Sequence, residues 1–178
     1  IHTASEGSIV ILGVVPTQPE TGFGYIRSER TDTPGIERVA AFVEKPNQET
    51  AQRYLREGGY HWNSGMFVLR ASIWLKALQH FRPDIAEATQ TAWAQRQTDS
   101  AFTRPDKAAF ASIPSESIDY AVMERCPGEK VAGFALKMVP LDAGWSDLGA
   151  WDAVWQVSKK DSDGNAAHGD AIVQACRN

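Results

Sequence analysis

Two uninterrupted apolar runs constrain the fold of this 178-residue chain more than any other feature. Ser8 to Val15 is rich in β-branched side chains and stops at Pro16, and Arg38 to Val43 stops just before the turn that contains Pro46. A strand that is apolar at nearly every position is covered on both faces, whereas a half-exposed strand alternates. Proline then ends each run, because its nitrogen has no hydrogen to donate to a sheet. The sequence therefore predicts a buried sheet.

Helical and extended segments alternate after the first strand. Asn47 suits a helix N-cap and Gly58 suits a helix end, so the apolar stripe between them predicts a helix. The predicted helices are Gln48 to Glu57, Ser72 to Phe81, Pro83 to Gln95, Ile118 to Glu124 and Ala150 to Val157. The further predicted strands are Tyr25 to Arg27, Gly65 to Leu69 and Lys130 to Val139. This alternation predicts an α/β fold of three layers, with a mixed, Rossmann-like sheet and helices on both faces.

Composition and charge exclude several functional classes. The formal net charge is -4 and the 18 basic residues are scattered, which gives no basic surface for nucleic acid or an acidic membrane. No apolar run reaches the roughly 20 residues of a membrane span, and Ile1 to Val15 lacks the basic start of a signal peptide. Cys126 and Cys176 have no metal-ligand spacing, which favours reduced thiols. We therefore expect a cytoplasmic protein without nucleic-acid or membrane partners, and a homo-oligomer is an open alternative.

Polar side chains follow apolar runs at three places and indicate a binding site. The three segments are Phe42 to Pro46, Asn63 to Phe67 and Gly144 to Gly149. The carboxylate of Glu44 beside the ammonium of Lys45 can hold hydroxyls and a phosphate together. The Asn63 amide can donate and accept, and Asp147 between small residues can hold a metal ion. From the residues alone, a solvated ion pair, a turn cap and an Asx turn stay open for these positions.

Five motifs occur in order along the chain. They are Pro-Thr-Gln-Pro-Glu-Thr-Gly-Phe-Gly-Tyr-Ile (16 to 26), Phe-Val-Glu-Lys-Pro (42 to 46), Trp-Asn-Ser-Gly-Met-Phe (62 to 67), Ser-Ile-Asp-Tyr-Ala-Val-Met-Glu (117 to 124) and Gly-Trp-Ser-Asp-Leu-Gly-Ala-Trp (144 to 151). Together they closely resemble the mannose-1-phosphate guanylyltransferase family. More narrowly, they resemble the nucleotidyltransferase portion of the bacterial enzymes that also carry a phosphomannose isomerase domain. The resemblance covers nearly the whole chain.

The resemblance implies roles for five residues. Glu44 holds sugar hydroxyls, Lys45 holds the sugar phosphate, and the Asn63 amide meets the sugar. The backbone around Gly24 approaches the sugar closely, which a side chain would obstruct. Asp147 binds the catalytic Mg²⁺, so Lys45 and Asp147 are the implied catalytic residues. The implied substrates are GTP and mannose 1-phosphate.

Some residues of these motifs receive no catalytic role. Asp119 and Glu124 lie in the fourth motif, and helix N-terminal charge and a surface pair are the default interpretations. Trp145 and Trp151 are expected to pack the loop and keep Asp147 in place.

The family's glycine-rich triphosphate loop, Gly-Gly-x-Gly-x-Arg-Leu-x-Pro, and a second metal-binding aspartate have no match in this chain. We therefore expect residues 1–160 to be the sugar-binding half of a nucleotidyltransferase domain and residues 161–178 to begin a linker to a further region. A polypeptide limited to residues 1–178 is expected to be inactive alone. Two alternatives stay open: a glucose-1-phosphate nucleotidyltransferase of the same fold, and a catalytically silent sugar-binding or assembly module.

Overall fold

A computed structural model describes residues 1–128 and 134–177. The strands are β1 (Ile9–Val14), β2 (Tyr25–Arg30), β3 (Glu37–Val43), β4 (Tyr60–Val68), β5 (Gln97–Asp99), β6 (Phe102–Arg104) and β7 (Leu136–Pro140). The α-helices are α1 (His2–Ser5), α2 (Gln48–Glu57), α3 (Ala71–Phe81), α4 (Pro83–Ala94), α5 (Lys107–Ala111) and α6 (Trp151–Val157). A single turn of π-helix covers Asp119–Met123. None of the helices in the described ranges is long and apolar enough to cross a membrane.

The chain divides into two compact units, Ile1–Asp142 and Ala143–Asn178. The first unit contains all the strands and every helix except α6, which belongs to the second unit. The division of the chain into residues 1–160 and 161–178 by function stays a prediction.

Within the described residues, the main sheet has five strands in the order β1-β4-β2-β3-β7. β7 runs parallel to β1, whereas the other neighbouring pairs are antiparallel, so the sheet is mixed. The predicted α/β class with a mixed sheet is confirmed. The sheet also closes on itself, because β3 pairs with β7 at Glu37–Met138 and Arg38–Lys137. Register shifts after Ile11 and after Arg27 accompany this closure, since bulges bend a strand and increase its twist.

Helices pack on both faces of the sheet, as expected for three layers. Neighbouring residues of a strand point to opposite faces. On β2, the ring of Tyr25 lies 5.5 Å from the ring of Tyr54 on α2, whereas Ile26 belongs to the main hydrophobic cluster. That cluster joins strand residues to α3, α4 and the π-helix, including Ile11, Ile26, Phe42, Leu78, Ile85, Val122 and Met138. The strands and helices of the first unit therefore share one hydrophobic core, which holds the strands in place.

Local signals account for the best-predicted helix. Gln48–Glu57 begins after Asn47, whose side chain accepts a hydrogen bond from the backbone N–H of Thr50, and it ends at Gly58 with φ +69°. Proline at the first position of α4 separates α4 from α3, also as predicted.

Three predicted elements differ from the structure. β4 begins at Tyr60 rather than Gly65, because Tyr60 to Trp62 pair with β2 although polar side chains interrupt the apolar pattern there. The helix expected at Ile118 to Glu124 is a π-helix over Asp119–Met123. The strand expected at Lys130 to Val139 is present as Leu136–Pro140, and its first residues, up to 133, lie outside the described residues.

Both cysteine thiols are free, as expected. Cys126 is buried in the hydrophobic cluster, and burial raises the pKa of its thiol to about 12. A thiol that stays protonated at neutral pH is a poor nucleophile, so Cys126 is a packing residue.

Candidate sugar-phosphate site

The end of β3 places a carboxylate and an ammonium side by side. In an extended strand Glu44 and Lys45 would point to opposite faces, but Lys45 has φ +47°, in the left-handed region. This turn leaves the Lys45 ammonium nitrogen 3.6 Å from Oε1 of Glu44. A non-glycine residue rarely adopts this backbone conformation, so the backbone at Lys45 is strained. Strain of this kind is often found at functional sites.

The two side chains of this pair have different environments. The Glu44 side chain is only 7% exposed, whereas the Lys45 side chain is 56% exposed. Oε2 of Glu44 is buried and accepts no hydrogen bond from any residue that the structure describes. A buried carboxylate oxygen without a donor is costly, and a ligand hydroxyl would supply that donor.

The position of the Glu44 carboxylate leaves no room for a side chain at residue 24, which is glycine. A Cβ atom at residue 24 would lie 2.5 Å from Oε2 of Glu44, 3.2 Å from the Phe42 ring and 3.3 Å from Cβ of Asn63. The Gly24 carbonyl accepts a hydrogen bond of 2.8 Å from the backbone N–H of Asn63. Gly24, Glu44, Lys45 and Asn63 were each predicted as site residues, and the structure brings all four together.

The Asn63 side-chain amide is held at both ends. Its Oδ1 accepts a hydrogen bond of 3.0 Å from the backbone N–H of Gly65, and its Nδ2 donates one of 2.9 Å to Oδ1 of Asp119. An amide nitrogen carries two hydrogens, so Nδ2 can donate once more. Asn63 therefore caps the turn at Gly65, one of the roles that the sequence left open, and one Nδ2 hydrogen stays available to a ligand.

Two further carboxylates lie at this site. Asp119 begins the π-helix and contacts Asn63, and Oε1 of Glu124, just after that helix, accepts from the backbone N–H of Glu44 at 3.3 Å. Asp119 is a helix-terminal charge, as expected, but the default interpretations are incomplete, because both residues also contact site residues. Their common motif, Ser117 to Glu124, was the signal in the sequence that could have indicated this.

The Glu44 and Asp119 carboxylates each have a pKa above the ordinary value. Burial raises the pKa of Glu44, and the negative charges of Asp119 and Glu124 raise it further, while Lys45 acts in the opposite direction. Burial also raises the pKa of Asp119, which the hydrogen bond from Asn63 and the charge of Lys45 partly offset. The site is thus rich in acceptors at its buried end and cationic at its exposed end.

Asp147 lies in the second unit. It is exposed, and its carboxylate accepts no hydrogen bond from any other residue in the described ranges. A Cβ at Gly149 would lie 3.3 Å from Oδ1 of Asp147, so any larger residue at position 149 would crowd the Asp147 carboxylate. The expectation that Trp151 packs this loop is wrong, because Trp151 is 88% exposed.

The described residues contain no group of three histidine, cysteine, aspartate or glutamate side chains that could hold a metal by themselves. A cavity of about 460 Å³ in the second unit is lined by Trp155, Lys159 and His168 among others, and its lining contains no carboxylate. It therefore offers no charged acceptor for sugar hydroxyls comparable to Glu44.

Comparison with known proteins agrees with this combination of an α/β fold and an acceptor-rich site. The nucleotidyl transferase family profile matches residues 1–164. The xanthan biosynthesis protein XanB of Xanthomonas campestris pv. campestris (strain B100) is 51% identical over 98% of the chain. The mannose-1-phosphate guanylyltransferase of Escherichia coli (strain K12) is 46% identical over 98% of the chain. The chain spans 36% of the length of each of these two relatives.

A solved structure from Thermus thermophilus, described as a mannose-1-phosphate geranyltransferase, superposes with a TM-score of 0.72 at 32% identity. The match covers 91% of this chain and 43% of that chain. This chain belongs to the nucleotidyl transferase family. The resemblance read from the five motifs is confirmed, since close relatives carry the name mannose-1-phosphate guanylyltransferase.

Proposed function

We propose that the full-length protein couples mannose 1-phosphate to GTP and releases GDP-mannose and pyrophosphate, which supplies a precursor for bacterial polysaccharides. An oxygen of the sugar phosphate attacks the α-phosphorus of GTP. The bond from that phosphorus to the oxygen that bridges to the β-phosphorus breaks, and pyrophosphate leaves with the bond electrons. No protein nucleophile takes part, so the protein contributes orientation and charge neutralisation.

The observation that carries this proposal is the buried, unpartnered oxygen of Glu44 beside the exposed ammonium of Lys45. A ligand that satisfies both must bring a hydroxyl donor to one end and an anion to the other. A hexose 1-phosphate has this distribution. Glu44, Asn63 and the Gly24 backbone then orient the sugar, and Lys45 holds the attacking phosphate.

A divalent metal ion belongs to the proposed chemistry, and we assign Asp147 as its protein ligand, with Mg²⁺ as the ion. When bound, Mg²⁺ neutralises charge on the reacting phosphates. The residue fits this ion, because Mg²⁺ commonly takes one or two carboxylates together with substrate phosphates and water. Asp147 is exposed and free of hydrogen bonds to the described residues, so its oxygens are open for such a role. Cytoplasmic location and homo-oligomeric assembly stay predictions.

Turnover by the full-length protein tests the proposed function. We expect pyrophosphate release with GTP, mannose 1-phosphate and Mg²⁺, and much slower release when glucose 1-phosphate replaces the sugar or ATP replaces GTP. A preference for glucose 1-phosphate would favour the alternative sugar nucleotidyltransferase. Binding of mannose 1-phosphate without turnover would favour a silent sugar-binding module.

Glu44→Gln is expected to raise the KM for mannose 1-phosphate about tenfold or more and to leave the KM for GTP nearly unchanged. A hydrogen bond from a hydroxyl to a charged carboxylate contributes on the order of 1.5–3 kcal/mol, and the amide loses the charge while keeping the shape. Steady-state kinetics measures both constants. Glu87→Gln is the matched control, because Glu87 is exposed on α4. An unchanged sugar KM in Glu44→Gln would remove Glu44 from the site.

Gly24→Ala is expected to raise the KM for mannose 1-phosphate at least as much as Glu44→Gln does. The new methyl group would lie 2.5 Å from Oε2 of Glu44, so the carboxylate would have to move. Gly22→Ala in the same loop is the control, since a Cβ at residue 22 meets the Glu20 carboxylate only at 3.4 Å. Equal kinetics for the two variants would show that the close approach at Gly24 has no part in sugar binding.

A further inference from the structure

Asp119 takes no direct part in the proposed reaction, although it interacts with three residues of the site, Glu44, Lys45 and Asn63. Its Oδ1 accepts the hydrogen bond from Nδ2 of Asn63. Its charge raises the pKa of Glu44, and the charge of Lys45 acts to lower the pKa of both carboxyl groups, so all three charged groups lie within electrostatic reach of one another. The contact with Asn63 joins the π-helix to β4, across 56 residues of sequence.

The hydrogen-bond inventory of Asn63 shows what this contact does. Oδ1 already accepts from the N–H of Gly65, and Nδ2 is the only atom of this side chain that can donate a hydrogen to a ligand. With Asp119 taking one of the two Nδ2 hydrogens, the amide cannot rotate without losing two hydrogen bonds. The second hydrogen of Nδ2 then has a fixed direction.

A purely structural role does not account for the arrangement. Placing Asp119 near Glu44 and Glu124 collects three negative charges around one lysine, which opposes folding. The Glu44 side chain is only 7% exposed and still has an oxygen without a donor. A ligand that donates hydroxyl hydrogens to this end of the site would satisfy that oxygen and reduce the repulsion.

We propose that Asp119 is a positioning residue for sugar recognition: it holds the Asn63 amide so that the remaining Nδ2 hydrogen donates to an oxygen of the sugar. This inference rests on the proposed function, because it assumes that the same site binds a hexose and adds how Asn63 is oriented toward it. Asp119 acts through Asn63, so its removal and the removal of Asn63 should have the same consequence.

A double-mutant cycle in the full-length protein tests this coupling. Asp119→Ala and Asn63→Ala are each expected to raise the KM for mannose 1-phosphate about tenfold, and the double variant is expected to be no worse than either alone, because coupled residues are not additive. The KM for GTP should stay unchanged. Asp119→Asn keeps an acceptor for Nδ2 and should recover part of the loss. Asp32→Ala, at an exposed aspartate outside the site, is the control and should change neither constant.

The pH profile gives a second readout that a packing role would not change. Sugar affinity should fall as pH drops through the raised pKa of Glu44, because a protonated carboxyl accepts more weakly. The charged groups that act on Glu44 are Asp119, Lys45 and Glu124. Asp119→Asn removes a negative charge that raises this pKa, so the acid limb of kcat/KM for the sugar should move to lower pH.

The outcomes separate this inference from the proposed function. Additive losses in the cycle, or an acid limb that does not move in Asp119→Asn, would overturn the positioning role. If Glu44→Gln weakens sugar binding while every Asp119 variant behaves like wild type, this inference is wrong and the proposed function stands. If wild-type protein binds no hexose 1-phosphate, both are wrong. Circular dichroism and thermal melting of each variant identify any that fail to fold, and Asp119→Asn, which keeps the shape of the side chain, then decides.

Discussion

Replacing Lys45 with alanine in the full-length protein should lower kcat/KM for mannose 1-phosphate by a factor equivalent to about 2–4 kcal/mol of transition-state stabilisation, the typical cost of losing one electrostatic contributor. The ammonium is the exposed end of the site and lies 3.6 Å from Glu44, so it can neutralise the attacking phosphate. Its loss also leaves the Glu44 carboxylate without its neighbouring cation. Steady-state kinetics with GTP held at saturation measures the effect.

Lys76→Ala on α3 is the control for this prediction, because Lys76 is an exposed lysine outside the site. Lys45→Gly is a useful second variant. It removes the ammonium but relieves the strain of φ +47°, so it should lose activity without losing stability. Normal kcat/KM in Lys45→Ala would mean that the ion pair at the end of β3 is only a solvated pair.

Asp147→Asn should reduce kcat by two orders of magnitude or more, roughly the effect of removing one electrostatic contributor at the reacting phosphates. The asparagine keeps the shape of the side chain and loses the charge that a hard cation needs. Because Asp147 is exposed and makes no hydrogen bond within the described ranges, the melting temperature should change little. The measurement is kcat as a function of Mg²⁺ concentration, together with a thermal melt.

Asp170→Asn is the matched control, since Asp170 is another exposed aspartate of the same compact unit. Near-normal activity with unchanged Mg²⁺ dependence in Asp147→Asn would make this residue a turn former and remove it as the metal ligand.

The parts of the fold that local chemistry controls were predictable. Gln48–Glu57 carries its own start and stop signals, and β1 and β3 are apolar at nearly every position, so each was recognised without tertiary information. β4 starts earlier than its apolar pattern because pairing with β2 stabilises Tyr60 to Trp62 whatever their polarity. Closure of the sheet depends on β3 meeting β7, which is distant in sequence, and no local pattern reports such a contact.

The candidate site divides in the same way. Glu44 and Lys45 are adjacent in sequence and end a strand, so their proximity was predictable, whereas their separation into a buried and an exposed group depends on the strained turn at Lys45. The contact of Asn63 with Asp119 joins distant segments, which is why Asp119 received only a default role from the sequence.

We propose that one end of this site binds a sugar through Glu44 and that the other end binds its phosphate through Lys45. NMR titrations of the full-length protein with mannose 1-phosphate and with methyl α-mannoside, which lacks the phosphate, separate the two ends. Glu44→Gln should weaken binding of both ligands. Lys45→Ala should weaken mannose 1-phosphate about tenfold or more, the value of a charge-assisted hydrogen bond, and weaken the mannoside much less. Equal weakening of the two ligands by Lys45→Ala would show that Lys45 does not bind the phosphate, and unchanged binding of both ligands in both variants would show that neither residue belongs to a sugar-phosphate site.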